Sequence, residues 1–157
     1  MSDLETSRRV FCGQMCRVAI AGVATSVVAA CGGGSGSPTG PSGVPGLETL
    51  SGTTAPNGVT VAVDPAGPLG SPGDAVLVQS PRGFFLVSRT SAEAFSALTG
   101  TCTHQACTIT GFSSGRYVCP CHGSNFDTSG RVLQGPATAP LRSFPTTFAN
   151  DTLTITL

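Results

Sequence analysis

The tightest constraint on this chain is the crowding of its metal-ligand chemistry into residues 102–124. Both histidines, His104 and His122, fall there with four of the seven cysteines. One segment reads Cys102-Thr103-His104-Gln105-Ala106-Cys107, the other Cys119-Pro120-Cys121-His122-Gly123-Ser124. Thiolate and imidazole together suit zinc or iron–sulfur chemistry, whereas calcium and magnesium take oxygen ligands. Cys102-x-His104 and Cys119-x-x-His122 offer four donors from two loops, each loop giving one anionic sulfur and one neutral nitrogen. That set divides over a two-iron cluster, thiolates on one iron and imidazoles on the other. The alternative, a zinc-stabilised binding domain without a redox role, fits the spacing less well. Zinc fingers separate paired cysteines by two to four residues, and Cys119 and Cys121 have one residue between them. A plant-type all-cysteine cluster matches the Cys102-x4-Cys107 spacing but needs a further cysteine after two intervening residues, where this chain has Thr110. A thioredoxin-like pair would need Cys-x-x-Cys in a βαβ context.

Around these segments the pattern is that of short strands. Val59, Val61 and Val63 alternate with smaller or polar residues, the period of a half-buried strand. Ala75–Gln79 and Gly83–Ser88 flank the turn Ser80-Pro81-Arg82, and Thr108–Phe112 and Arg116–Cys119 flank Ser113-Ser114-Gly115. Leu141–Phe148 and Thr152–Leu157 surround Asn150-Asp151, with Leu153, Ile155 and Leu157 on one side. One short helix is predicted, over Ser91–Leu98. The expected fold is all-β, a small antiparallel sandwich or barrel over residues 47–157 carrying a cluster-binding subdomain of two loops. Charged residues make up 10% of the chain, every basic one is arginine, and the net charge is zero, so no nucleic-acid partner is expected.

The N-terminal third reads as an address. Residues 7–11, Ser-Arg-Arg-Val-Phe, resemble a twin-arginine export signal. The uncharged run Val18–Ala30 is short of the roughly 20 residues a membrane helix needs and suits the apolar core of a cleavable signal. Val28-Ala29-Ala30-Cys31 resembles a bacterial lipobox, in which the cysteine thiol receives lipid; an ordinary peptidase site is the alternative. Residues 1–30 are thus expected to be a signal peptide, with Cys12 and Cys16 discarded and Cys31 lipidated. Residues 31–46, rich in Gly, Ser and Pro, form a tether whose 15 residues after Cys31 reach about 20 Å on average. The mature protein is expected on the periplasmic or other extracytoplasmic face, held to the membrane by that lipid.

The two cysteine–histidine segments closely resemble the cluster-binding boxes of the Rieske family, Cys-Thr-His-x-Gly/Ala-Cys and Cys-Pro-Cys-His-Gly-Ser. The resemblance implies one [2Fe–2S] cluster per chain, with Cys102 and Cys119 on the inner iron and His104 and His122 on the outer, solvent-facing iron. It also implies a Cys107–Cys121 disulfide, which agrees with the oxidising compartment an exported protein meets. Gly135-Pro136-Ala137 resembles the family's third, proline-containing loop, although an ordinary turn reads the same way.

What the resemblance implies for function is one-electron transfer as a subunit or shuttle of an oxidoreductase chain. The expected partners are a cytochrome or oxidoreductase subunit, with quinol as a candidate donor. Neutral imidazoles in place of two thiolates make electron uptake easier. In the family the serine after His-Gly, here Ser124, donates a hydrogen bond to a cluster sulfide. Quinol-oxidising members place a tyrosine two residues later, where this chain has Phe126. The missing hydroxyl predicts a lower potential than in tyrosine-bearing relatives.

Overall fold

A computed structural model of the chain describes residues 43–157. The expected signal segment, Cys31 and most of the expected tether lie outside the described residues. Thirteen strands follow in order: β1 (Glu48–Ser51), β2 (Thr53–Ala55), β3 (Gly58–Ala62), β4 (Ala75–Ser80), β5 (Gly83–Arg89), β6 (Phe95–Thr99), β7 (Gly111–Ser113), β8 (Arg116–Val118), β9 (Asn125–Asp127), β10 (Val132–Gln134), β11 (Ser143–Phe144), β12 (Thr146–Ala149) and β13 (Thr152–Thr156). They form a five-stranded sheet β1-β4-β5-β6-β11 and two four-stranded sheets, β12-β13-β3-β2 and β10-β9-β8-β7. The all-β expectation is borne out. One pair, β1 with β4, is parallel; the remaining pairs are antiparallel.

The five-stranded sheet is covered on both faces, which explains the nearly unbroken apolar runs of β4 and β5. Val76 and Val78 of β4, Phe85 and Val87 of β5 and Ala97 of β6 face one core, where they meet Val59 and Val61 of β3 and Leu153 and Ile155 of β13. Leu77, Leu86 and Leu98, the alternate positions, face a second core with Ile109, Tyr117, Phe126, Cys102 and Cys119. Period two therefore sends neighbouring residues of one strand to two different interiors. Arg89, at the end of β5, fastens the rim of the first core. Its guanidinium donates to the carbonyls of Leu69 and Gly70 at 3.0 Å, of Ser91 at 3.2 Å and of Ala92. It also lies over the rings of Phe95 and Phe148.

The helix expected over Ser91–Leu98 does not form. Ser91–Ala94 make a turn closed by Thr90 and Ser91 N–H bonds to the Ala94 carbonyl, and Phe95–Thr99 become β6, paired with β5 and β11. Ladder partners on both sides, with Ala97 and Leu98 buried on opposite faces, outweigh the local preference for helix. The domain also begins to pair slightly before Leu47, because the Phe112 N–H donates to the Pro45 carbonyl and Gly46 bridges Gly111.

Candidate metal centre

The first cysteine–histidine segment is the loop between β6 and β7, and the second is the loop between β8 and β9. Their backbones are built alike. In the first, the Cys102 N–H donates to the Cys107 carbonyl and the Ala106 N–H donates back to Cys102. In the second, the Cys119 N–H donates to Ser124 and the Gly123 N–H to Cys119, with the same offsets. Both loops turn through a left-handed residue at the matching place, Ala106 with φ 55° and Gly123 with φ 74°. Glycine takes that conformation freely; alanine takes it at a cost.

Cys102 and Cys119 are free thiols, 3% and 1% exposed, inside the second core. Burial pushes the Cys119 thiol above its ordinary pKa. Cys102 beside it acts in the same direction, against the pull of the Cys121 and His122 backbone. The Cys119 thiol thus resists becoming a thiolate, a resistance that a bound cation reverses. The rings of His104 and His122 stand edge to face with centroids 4.9 Å apart. His122 is exposed, whereas His104 is half-buried and its Nδ1 is enclosed without a hydrogen-bond partner. A buried nitrogen lone pair left unpaired is costly, and a metal would satisfy it. The donor set therefore fits a group that takes sulfur at its inner end and nitrogen at its outer end.

Cys107 and Cys121 form a disulfide that ties the two loops together. The sulfurs of Cys107, Cys119 and Cys121 lie within 4.8 Å of one another. Two of the three are bonded to each other, so the grouping is a disulfide beside a free thiol and offers no three-thiolate site.

The segment after β10 closes over the loops. The Thr103 hydroxyl donates to the Ala139 carbonyl at 2.6 Å, and the Ser124 Oγ accepts from the Ala137 N–H at 3.0 Å. Ser124 is fully buried, and with that lone pair engaged its own O–H remains free to donate. Gly135-Pro136-Ala137 is thus more than an ordinary turn. Phe126 is fully buried in the same core as Cys102 and Cys119. Sequence reasoning missed the tie made by Thr103. Tyr117, like Phe126 readable as a plain core residue, is fully buried in the second core, and its hydroxyl is enclosed without a hydrogen bond, as is that of Ser88. Burial pushes the Tyr117 hydroxyl well above the usual phenol range, which the neighbouring Ser88 hydroxyl offsets only in part. A phenol inside a strand gives no signal in sequence that distinguishes it from plain core.

Comparison with known proteins agrees with this geometry. The family model described as the Rieske [2Fe-2S] domain matches residues 60–145. The chain is 34% identical over 84 residues to the cytochrome b6-f complex iron-sulfur subunit of Synechococcus elongatus, covering 51% of this chain and 47% of that one. It is 35% identical over 107 residues to the same subunit of Parasynechococcus marenigrum (strain WH8102), covering 64% and 60%. Several of these matches, including the first, span only about half the length of the curated relative. Among solved structures, the cyanobacterial plasma membrane Rieske protein PetC3 from Synechocystis PCC 6803 superposes with a TM-score of 0.48 at 30% identity, over 53% of this chain and 86% of that one. With a family model spanning more than half of the sequence, the chain belongs to the Rieske [2Fe-2S] domain family, and its cofactor is a [2Fe–2S] cluster.

Proposed function

We propose that this protein transfers single electrons at an extracytoplasmic membrane surface, as a subunit or shuttle of an oxidoreductase chain. In this reading Cys102 and Cys119 hold the inner iron, and His104 and His122 hold the outer one. The observation that carries it is the gradient of exposure across the four residues, from two enclosed thiols through half-buried His104 to exposed His122. When bound, the cluster supplies one-electron chemistry. The chain supplies the rest. The second core keeps water from the thiols, the disulfide and the third loop fix the two knuckles, and His122 reaches the surface where a partner docks.

The named relatives are subunits of cytochrome b6-f complexes, which supports a cytochrome or oxidoreductase subunit as partner and quinol as a candidate donor. We assign residues 1–30 to a signal peptide, 31–46 to a tether lipidated at Cys31, and 47–157 to the cluster domain. Electron paramagnetic resonance of the reduced protein tests the ligand set. Nitrogen coupling is expected in the parent and altered in His104→Cys and His122→Cys; a parent spectrum without nitrogen coupling overturns it. Mass spectrometry of the membrane-extracted protein is expected to give an N-terminal lipidated Cys31, and an unmodified Cys31 removes the anchor. In Phe126→Tyr the midpoint potential is expected to rise, and an unchanged or lower value refutes the tuning role of that position.

A further inference from the structure

Among the described residues, two of the three exposed large apolar side chains, Phe84 and Leu157, line one groove of about 320 Å³ together with Arg82, Thr101, Arg142 and Phe144. No Asp or Glu side chain lines it. Among the described residues, five arginines face six Asp and Glu side chains, so the domain's side chains are on balance slightly acidic, while those of this groove carry two positive charges and no negative one. Arg89 is committed to four carbonyls and Arg131 to Asp127. Arg82 and Arg142 have no hydrogen-bonded or ionic partner for their guanidinium groups among the described residues. Arg142 is nonetheless oriented, because it lies 4.7 Å over the Phe144 ring. A guanidinium already stacked loses less freedom when a carboxylate arrives.

The groove borders chain segments that lead into the first cysteine–histidine loop and out of the third loop. Thr101 immediately precedes Cys102, and Arg142 follows the third loop, held by the Thr99 N–H bond to its carbonyl at 2.8 Å. We infer that this groove docks an acidic, apolar-centred patch of a redox partner protein, whose carboxylates meet Arg82 and Arg142 while an apolar side chain covers Phe84. The inference rests on the electron-transfer reading and names the chemistry of its partner. Charge of this kind acts chiefly on encounter and specificity, and it is screened by salt.

The test is titration of the cluster-loaded protein with a small acidic c-type cytochrome, measured by calorimetry at low and high salt. Arg82→Glu/Arg142→Glu is expected to weaken affinity by roughly tenfold or more at low salt, and the difference is expected to vanish at high salt. Arg116→Glu, on β8 outside the groove, is the charge control and is expected to change affinity less than about twofold. Equal losses in both variants, or no loss in the double variant, overturn the inference. So does a double variant that keeps its cytochrome affinity but no longer sediments with vesicles of equimolar phosphatidylglycerol and phosphatidylcholine, which assigns the groove to a membrane. Arg82→Gln/Arg142→Gln, checked for an unchanged visible spectrum, repeats the measurement if the reversal disturbs folding. Because binding is read by heat, an absent docking site is distinguished from a failed electron-transfer reading, which electron transfer to the same cytochrome reports separately.

Discussion

The two cores on either side of the five-stranded sheet use the same architecture to different ends. The first is closed by its own side chains, with Val59, Val61, Leu153 and Ile155 against Val76, Val78 and Phe85 and no unpaired donor set. The second contains two free thiols and borders an unsatisfied imidazole nitrogen. Apolar burial stabilises the first outright; the second is complete only when something occupies its polar corner. One half of the domain is therefore a self-sufficient frame, and the other is a mount whose stability is linked to what it holds.

Removing iron by acid and chelator should separate the halves most sharply. Amide hydrogen exchange is expected to lose protection in β7–β10 while β3, β4, β5 and β13 keep theirs; uniform loss would make the two cores a single cooperative unit. Ile155→Ala, at a fully buried site of the first core, is expected to cost about 2–5 kcal/mol in denaturant unfolding without altering the visible spectrum. A changed spectrum would show the frame and the mount to be coupled. Replacing Cys107 and Cys121 together by alanine opens a loop of 14 residues' separation and is expected to cost about 3 kcal/mol, felt first at the second core. Loss confined to the first core would reverse the comparison. Smaller still, Ala106→Gly is expected to add stability and Gly123→Ala to remove it, each by about 1 kcal/mol, because both positions have positive φ.

The smallest effect concerns pH. Burial pushes the Asp127 carboxyl up, but hydrogen bonds from Ser129 and Arg131 outweigh this and hold it below the ordinary 3.8. The folded value is the lower one, so the contribution is complete above the ordinary value and disappears as pH falls through the folded one. Asp127→Asn is expected to flatten the acid limb of a stability–pH curve slightly, and an unchanged limb would deny the turn any such role.

The site was more legible in the sequence than the frame. Thiols and imidazoles are rare enough that their spacing identifies both loops, and the disulfide implied by the resemblance is present between Cys107 and Cys121. Strands with one polar face, such as β3 and β13, announced themselves by alternation. Thr53–Ala55 and Val132–Gln134 did not, because three mostly exposed residues leave no apolar pattern. Phe95–Leu98 carries a helix expectation because Ser91-Ala92-Glu93-Ala94 gives a local helix signal, whereas one of its two strand partners, β11, lies more than 40 residues away in sequence. The three-sheet arrangement was equally hidden. A run such as Val76-Leu77-Val78 announces burial but does not say that alternate residues enter separate interiors.

That double burial bears on the cost of changing charge at the centre. Cys102 and Cys119 are embedded in close-packed surroundings with low compressibility, so an arriving charge finds few nuclei able to rearrange on the sulfur side. Any relaxation is left to exposed His122 and nearby solvent. Under the proposed ligand set, a frame that stiffens one end and wets the other keeps the reorganisation small and confines it to the exposed end.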